Sequence, residues 1–288
     1  MLISIIGLGL IGGSLGLALK KAGWRDAQIV SFVRRPETGK LAIEMGAIDR
    51  FEEISAKAVQ DADIVIIATP VLTIKDIFVE IAPALKPGCI VTDAASTKLQ
   101  VVQWAQQLLP DGIHFIGGHP MAGKETSGIQ SADASLFHNA IYCLVQSTRT
   151  TPEDTALLKD MVTSIGARHF SIGAEEHDQL VAGISHLPLL VSAALTSVTS
   201  QDSRWQQMSL LASSGYRDTT RLSSGNPDLS KDIIATNKVP IICWLDNFIK
   251  ELQNLRTVIS GEDDKIYDYF ALTNAARKEW LEKNYLKK

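Results

Sequence analysis

An apolar run, Leu2–Ile6, leads directly into the spacing Gly7-x-Gly9-x-x-Gly12, and residues 11–22 then read as a helix closed by Gly23. Strand, glycine turn and helix in that order constrain the chain more than any other feature. The first glycine of such a turn permits the tight bend, the second lets backbone approach a pyrophosphate, and the third lets helix and strand pack closely. The helix N-terminus offers its amides, here from Leu10, Ile11 and Gly12, and a partial positive charge to phosphate oxygens. The glycine spacing alone is common. Its position between a strand and a helix makes it a dinucleotide cradle.

The elements that follow keep the same rhythm. Gln28–Val33, Asp63–Thr69, Cys89–Thr92, His114–Ile116 and Ile141–Val145 are apolar runs of strand length, separated by helical stretches. One of those helices carries Val71, Ile74, Phe78, Ile81 and Leu85 on a single stripe. Continuous rather than alternating apolar strands are buried on both faces, as in a doubly wound, mostly parallel Rossmann-type sheet. Past about residue 150 the pattern becomes helical, with one further short strand near His169–Ile172. The polar stretch "QSTRTTPED", with its helix-starting Thr-Pro, marks the boundary, giving a dinucleotide-binding domain over 1–150 and an all-helical domain over 151–288. Leu180–Val198 is apolar nearly all round, which suits a helix buried in a core or between subunits.

Composition removes several classes of function. A net charge of −4 without a long basic run leaves no electrostatic footprint for nucleic acid. No uninterrupted apolar segment approaches ~18 residues, so no membrane partner is expected. The N-terminus lacks the basic start of a signal peptide. Cys89, Cys143 and Cys243 are far apart and form no CxxC pair, so reduced, buried thiols in a cytoplasmic protein are expected.

The choice of dinucleotide falls at the end of the second strand, where an acidic residue would accept hydrogen bonds from an adenosine ribose. The chain reads Val33-Arg34-Arg35 there. Two guanidiniums without a carboxylate favour the 2′-phosphate of NADP, with NAD remaining possible. Thr69-Pro70 ends the "IIAT" strand at the carboxyl edge of the sheet, in reach of the nicotinamide half.

"TDAASTK" and "GGHPMAG" follow strands and so belong to that same edge, placing Ser96 near the nicotinamide and His119 beside it in a loop bracketed by glycine and proline. Hydride transfer from an alcohol needs an acceptor for the hydroxyl proton near pH 7, and a neutral His119 with a serine partner fits. His114, His138 and His169 read as structural. His186 of "ISHLP" lies in an apolar helix, where it either meets a buried partner or faces the interdomain cleft. Arg217 and Arg221 are four residues apart with Asp218 between them; one can bind a substrate carboxylate while Asp218 holds the other. No ligand cluster has metal spacing.

Taken together, "GLGLIGGSL", "DAASTK", "GGHPMAG", "ISHLP" and "ASSGYRDTTR…GNP" resemble, over nearly the whole chain, the prephenate/arogenate dehydrogenases of tyrosine biosynthesis, especially their single-function bacterial and cyanobacterial form. The resemblance implies oxidative decarboxylation of prephenate to 4-hydroxyphenylpyruvate, or of arogenate to tyrosine. It implies that His119 accepts from the ring hydroxyl with Ser96 in support, that Arg221 binds a substrate carboxylate, and that His186 lines the substrate site. It also implies a homodimer formed through the helical domain. An acidic residue near the substrate's side chain would favour arogenate, and Glu125 is one candidate. Two other readings stand beside it. A 3-hydroxyacid-type dehydrogenase would use a lysine in the second domain's first long helix, where this chain offers His186. A non-catalytic NADP sensor would bind cofactor without turnover.

Overall fold

The computed structural model describes residues 1–124, 126–261 and 263–284. Eight strands form one sheet in the order β3-β2-β1-β4-β5-β6-β7-β8. In chain order the first part runs β1 (Leu2–Ile6), α1 (Leu10–Ala22), β2 (Gln28–Phe32), α2 (Pro36–Glu44), β3 (Arg50–Glu52), α3 (Ser55–Val59), β4 (Ile64–Ile67) and α4 (Ile74–Ile81). It continues through β5 (Ile90–Asp93), α5 (Leu99–Leu108), β6 (His114–Pro120), β7 (Ile141–Gln146), α6 (Pro152–Ser164) and β8 (Arg168–Ser171). All neighbouring strands pair in parallel except β6 and β7. The strand β8 belongs to this sheet although it lies past residue 150.

The continuous apolar strands have the expected cause. Ile64 and Ile66 of β4 point into one buried cluster with Leu15, Leu19 and Trp24, whereas Val65 and Ile67 point into another with Phe78, Trp104 and Phe115. Alternate residues of one strand therefore enter two cores. The polar stretch before α6 is a capping box: Thr151 Oγ1 accepts from Asp154 N–H at 3.2 Å, and Asp154 Oδ2 accepts from Thr151 N–H at 2.9 Å. Strand order reverses beside β1, so the crevice outside the carboxyl ends of β1 and β4 is the topological switch point.

The remainder is helical: α7 (Ala174–Val181), a single π-helical turn (Ala182–His186), α8 (Leu187–Ser200), α9 (Trp205–Leu211), α10 (Ser214–Thr220), α11 (Pro227–Thr236), α12 (Lys238–Ile259) and α13 (Asp263–Asn284). The chain divides into two compact units, 1–241 and 242–288. In the second, Tyr269 Oη donates to Glu251 Oε1 at 2.8 Å, tying α13 to α12. By length and composition alone, Ala174–Ser200 could cross a membrane, contrary to the sequence expectation. That helix nevertheless begins with Glu175, Glu176, His177 and Asp178 and buries the last two inside the protein. Of the three free thiols, Cys89 and Cys143 are buried and Cys243 is exposed.

Candidate active site

Two clefts open at the carboxyl edge of the sheet. The first, of about 530 Å³, is lined by Gly7, Leu8, Val33, Arg34, Arg35, Thr69 and Pro70, which brings both arginines and the Thr-Pro turn to the glycine loop. Gly7 has φ +103°, a conformation that favours glycine. A Cβ on Gly12 would stand 2.0 Å from Gly7 O, so only glycine lets α1 approach the turn. At Gly9 a Cβ would meet nothing within 4 Å, leaving the open cradle that a pyrophosphate requires. The first bond inside α1 runs from Gly13 N–H to Gly9 O, so the amides of Leu10, Ile11 and Gly12 precede the helix's own ladder and suit an anion. These features fit a dinucleotide.

Two carboxylates that the sequence reading did not weigh, Asp76 and Glu80, share this cleft with Arg34 and Arg35. They sit one turn apart on α4, an i,i+4 spacing that could have revealed their common face. They balance the arginines, so the cleft's charge does not by itself select NADP.

The second cleft, of about 560 Å³, brings Ser96, His119, His186 and Arg221 onto one wall system, together with Lys124 and Ser230. Arg217 is not among its lining residues: its side chain is 77% exposed and its Nε donates to Asp218 Oδ1 at 3.1 Å. The reason is local. Helix α10 ends at Thr220 and Arg221 opens a 3-10 turn, so the two arginines belong to different elements. Glu125 lies outside the described residues.

His119 departs from its expected setting in two ways. It belongs to β6 rather than to a loop, because β7 returns antiparallel and pairs it with Cys143. Its hydrogen-bond partner at Nδ1 is His177 Nε2, at 2.8 Å, and not Ser96. His177 Nδ1 in turn meets Asp178 Oδ1 at 2.8 Å. Sequence reasoning did not weigh His177 or Asp178 of "EEHDQ". The only signal was an imidazole beside a carboxylate.

Asp178 also accepts from the backbone N–H of Lys98 at 2.8 Å and of Leu99 at 2.9 Å, at the N-terminus of α5. Asn237 Nδ2 donates to Asp178 O at 2.7 Å and lies 3.2 Å from His186 Nδ1. His186 therefore has the buried partner that its apolar surroundings demand, and it also lines the cleft. Among the described residues its buried Nε2 has no hydrogen-bond partner. The π-helical turn that ends at His186 widens the helix there, an irregularity frequent at functional sites. Behind His119, fully buried Lys98 pairs with Asp93, whose Oδ1 accepts from Gly118 N–H at 3.1 Å.

Burial holds His119 well below the usual histidine pKa, and His177, Lys98 and His186 add to the depression. Burial likewise pushes His186 down to about 4, against the opposing pull of Asp178. Both imidazoles are neutral near pH 7.

Residues 15–171 match the family profile of the prephenate dehydrogenase nucleotide-binding domain, and residues 173–272 match that of the prephenate dehydrogenase dimerization domain. The chain belongs to the prephenate dehydrogenase family. It is 35% identical to prephenate dehydrogenase of Bacillus subtilis over 93% of this chain and 73% of that one. Among solved structures, Synechocystis arogenate dehydrogenase superposes with a TM-score of 0.84 at 34% identity, covering 97% of this chain and all of that one. Prephenate dehydrogenase from Aquifex aeolicus, in complex with hydroxyphenyl propionate and NAD+, gives 0.90 at 27% identity and covers 97% and 98%. This member of the prephenate dehydrogenase family is thus an NAD(P)-dependent oxidoreductase, which removes the sensor reading. The Gly7–Gly12 cradle lies just ahead of the residues that match the nucleotide-binding profile.

Proposed function

We propose that this enzyme oxidatively decarboxylates prephenate to 4-hydroxyphenylpyruvate and uses NADP in preference to NAD. The observation that carries the reading is the placement of a neutral, buried His119 and the Arg221 guanidinium on one cleft. Arg221 binds a substrate carboxylate and sets the ring's orientation. His119 accepts from the ring hydroxyl with Ser96 beside it, and the His186 Nε2–H donates to the bound substrate. A bound nicotinamide supplies the hydride acceptor. The C4–H bond breaks as a hydride, and the electron pair of the bond to the ring carboxylate enters the ring as CO2 leaves. The hydroxyl stays on the aromatic product, so the protein stabilises polarised charge and takes up no net proton.

The preference for NADP rests on Arg34 and Arg35 with Val33 in place of an acid. An Arg34→Ala enzyme is expected to show about a tenfold rise in KM for NADP, with a smaller change for NAD. Equal effects on both cofactors would refute the assignment. Arogenate, the second reading, is favoured by the likeness to the Synechocystis enzyme at full coverage. Purified protein assayed with prephenate and arogenate, each with NAD and NADP, tests the whole proposal. The highest kcat/KM should belong to prephenate with NADP, and turnover of neither substrate sinks it.

The working form is a homodimer through the helical domain. Ile184, Val198, Leu210 and Leu211 are 69–85% exposed, and the matching family profile is a dimerization domain. The three free cysteines suit the cytoplasm.

A further inference from the structure

We propose that Asp178 is a positioning residue that sets the donor and acceptor polarity of both cleft histidines, through its side chain for His119 and through its main chain for His186. The inference rests on the reading of His119 as the acceptor for the ring hydroxyl.

Backbone amides can only donate, so the Asp178 carboxylate must accept from Lys98 N–H and Leu99 N–H. Both carboxylate oxygens thus accept at the N-terminus of the ten-residue α5. Oδ1 accepts from His177 Nδ1 as well, which therefore carries a hydrogen. With its one hydrogen assigned to Nδ1, His177 accepts at Nε2 from His119 Nδ1 across 2.8 Å. His119 is left with a lone pair on Nε2, an acceptor.

The main chain of the same residue fixes the opposite polarity at His186. The Asp178 carbonyl can only accept, so Asn237 presents its NH2 group there. The second hydrogen of that NH2 points to His186 Nδ1, which accepts. His186 therefore carries its hydrogen on Nε2, the buried nitrogen that meets no partner among the described residues. One residue thus gives the cleft an acceptor at His119 and a donor at His186, separating a hydroxyl from an anionic or carbonyl oxygen on the substrate.

Among the described residues, the charged and titratable groups around His119 are His177 and Asp178 of α7, His186 of the π-helical turn, Lys98 with its partner Asp93 of β5, and the Cys143 thiol across the sheet.

Imidazole 15N shifts of the full-length protein at pH 7 test the assignment. His177 and His119 should appear as Nδ1–H tautomers and His186 as the Nε2–H tautomer; an Nε2–H tautomer at either His177 or His119 overturns the proposal. In Asp178→Asn the first two should lose that tautomer, because the amide can donate to His177 Nδ1. Its kcat should fall roughly 10²–10⁴-fold, with KM for the cofactor unchanged. Wild-type tautomers in that variant would leave Asp178 a helix cap only, and the proposal fails. Should that variant not fold, His177→Gln serves instead. It should lose at least tenfold in kcat with cofactor KM unchanged, and wild-type kcat overturns the relay. If the wild-type tautomers are as stated but neither prephenate nor arogenate turns over, the functional reading fails and the polarity assignment stands.

Discussion

Asp232 Oδ2 accepts the backbone N–H of Leu72 at 3.3 Å, joining the helix α11 to the turn that leaves β4 beside Thr69 and Pro70. Helix α11 also supplies Leu229, Ser230 and Ile233 to the substrate cleft, while Thr69 and Pro70 line the dinucleotide cleft. A single buried carboxylate therefore spans the two binding sites. Asp232→Ala leaves the Leu72 amide without this acceptor and should cost about 1–3 kcal/mol of stability. The substrate KM, measured at saturating cofactor, should rise severalfold, and an unchanged KM would show that α11 is placed without this bond.

The glycine loop makes two opposite predictions. Gly9→Ala meets no protein atom, so the melting temperature should hold while KM for the dinucleotide rises by a factor of ten or more. Gly12→Ala drives its methyl into Gly7 O and should lower the melting temperature before any cofactor is added. Thermal melts of the two variants, with and without cofactor, check both.

The two arginines of "RDTTR" should separate cleanly. Losing a charge-assisted bond to a carboxylate costs about 1.5–3 kcal/mol, so Arg221→Ala is expected to raise the substrate KM roughly 10–150-fold. Arg217→Ala removes only an exposed ion pair and should change it less than about twofold. Steady-state kinetics with the preferred substrate distinguishes them.

Stability should fall on mild acidification. His186 has a folded pKa of about 4, below its unfolded value near 6.5, so between those limits the unfolded chain binds a proton that the folded protein refuses. Unfolding then takes up protons, and stability rises with pH across that window. On acidification from pH 7 to pH 4 this one group should account for a loss on the order of 3 kcal/mol, and buried His119 adds to it in the same direction. Urea melts across the window measure the loss, and His186→Asn should flatten the slope.

What the sequence determined lies where neighbours in the chain are neighbours in space. The apolar runs, the Gly7–Gly12 turn and the Thr151 cap were legible because strand, turn and helix capping depend on spacings of a few residues. The same locality exposed Ser96, His119, His186 and Arg221 as members of motifs. Tertiary structure decided the rest. His177 lies 58 residues from His119 and becomes its partner only because α7 packs against the start of α5. Asp76 and Glu80 matter to the cofactor cleft only because α4 stands across it from Arg34 and Arg35. The antiparallel return of β7 turned an expected loop at His119 into strand. Proton polarity at the site follows from hydrogen bonds between distant elements, and one-dimensional spacing carries no information about those.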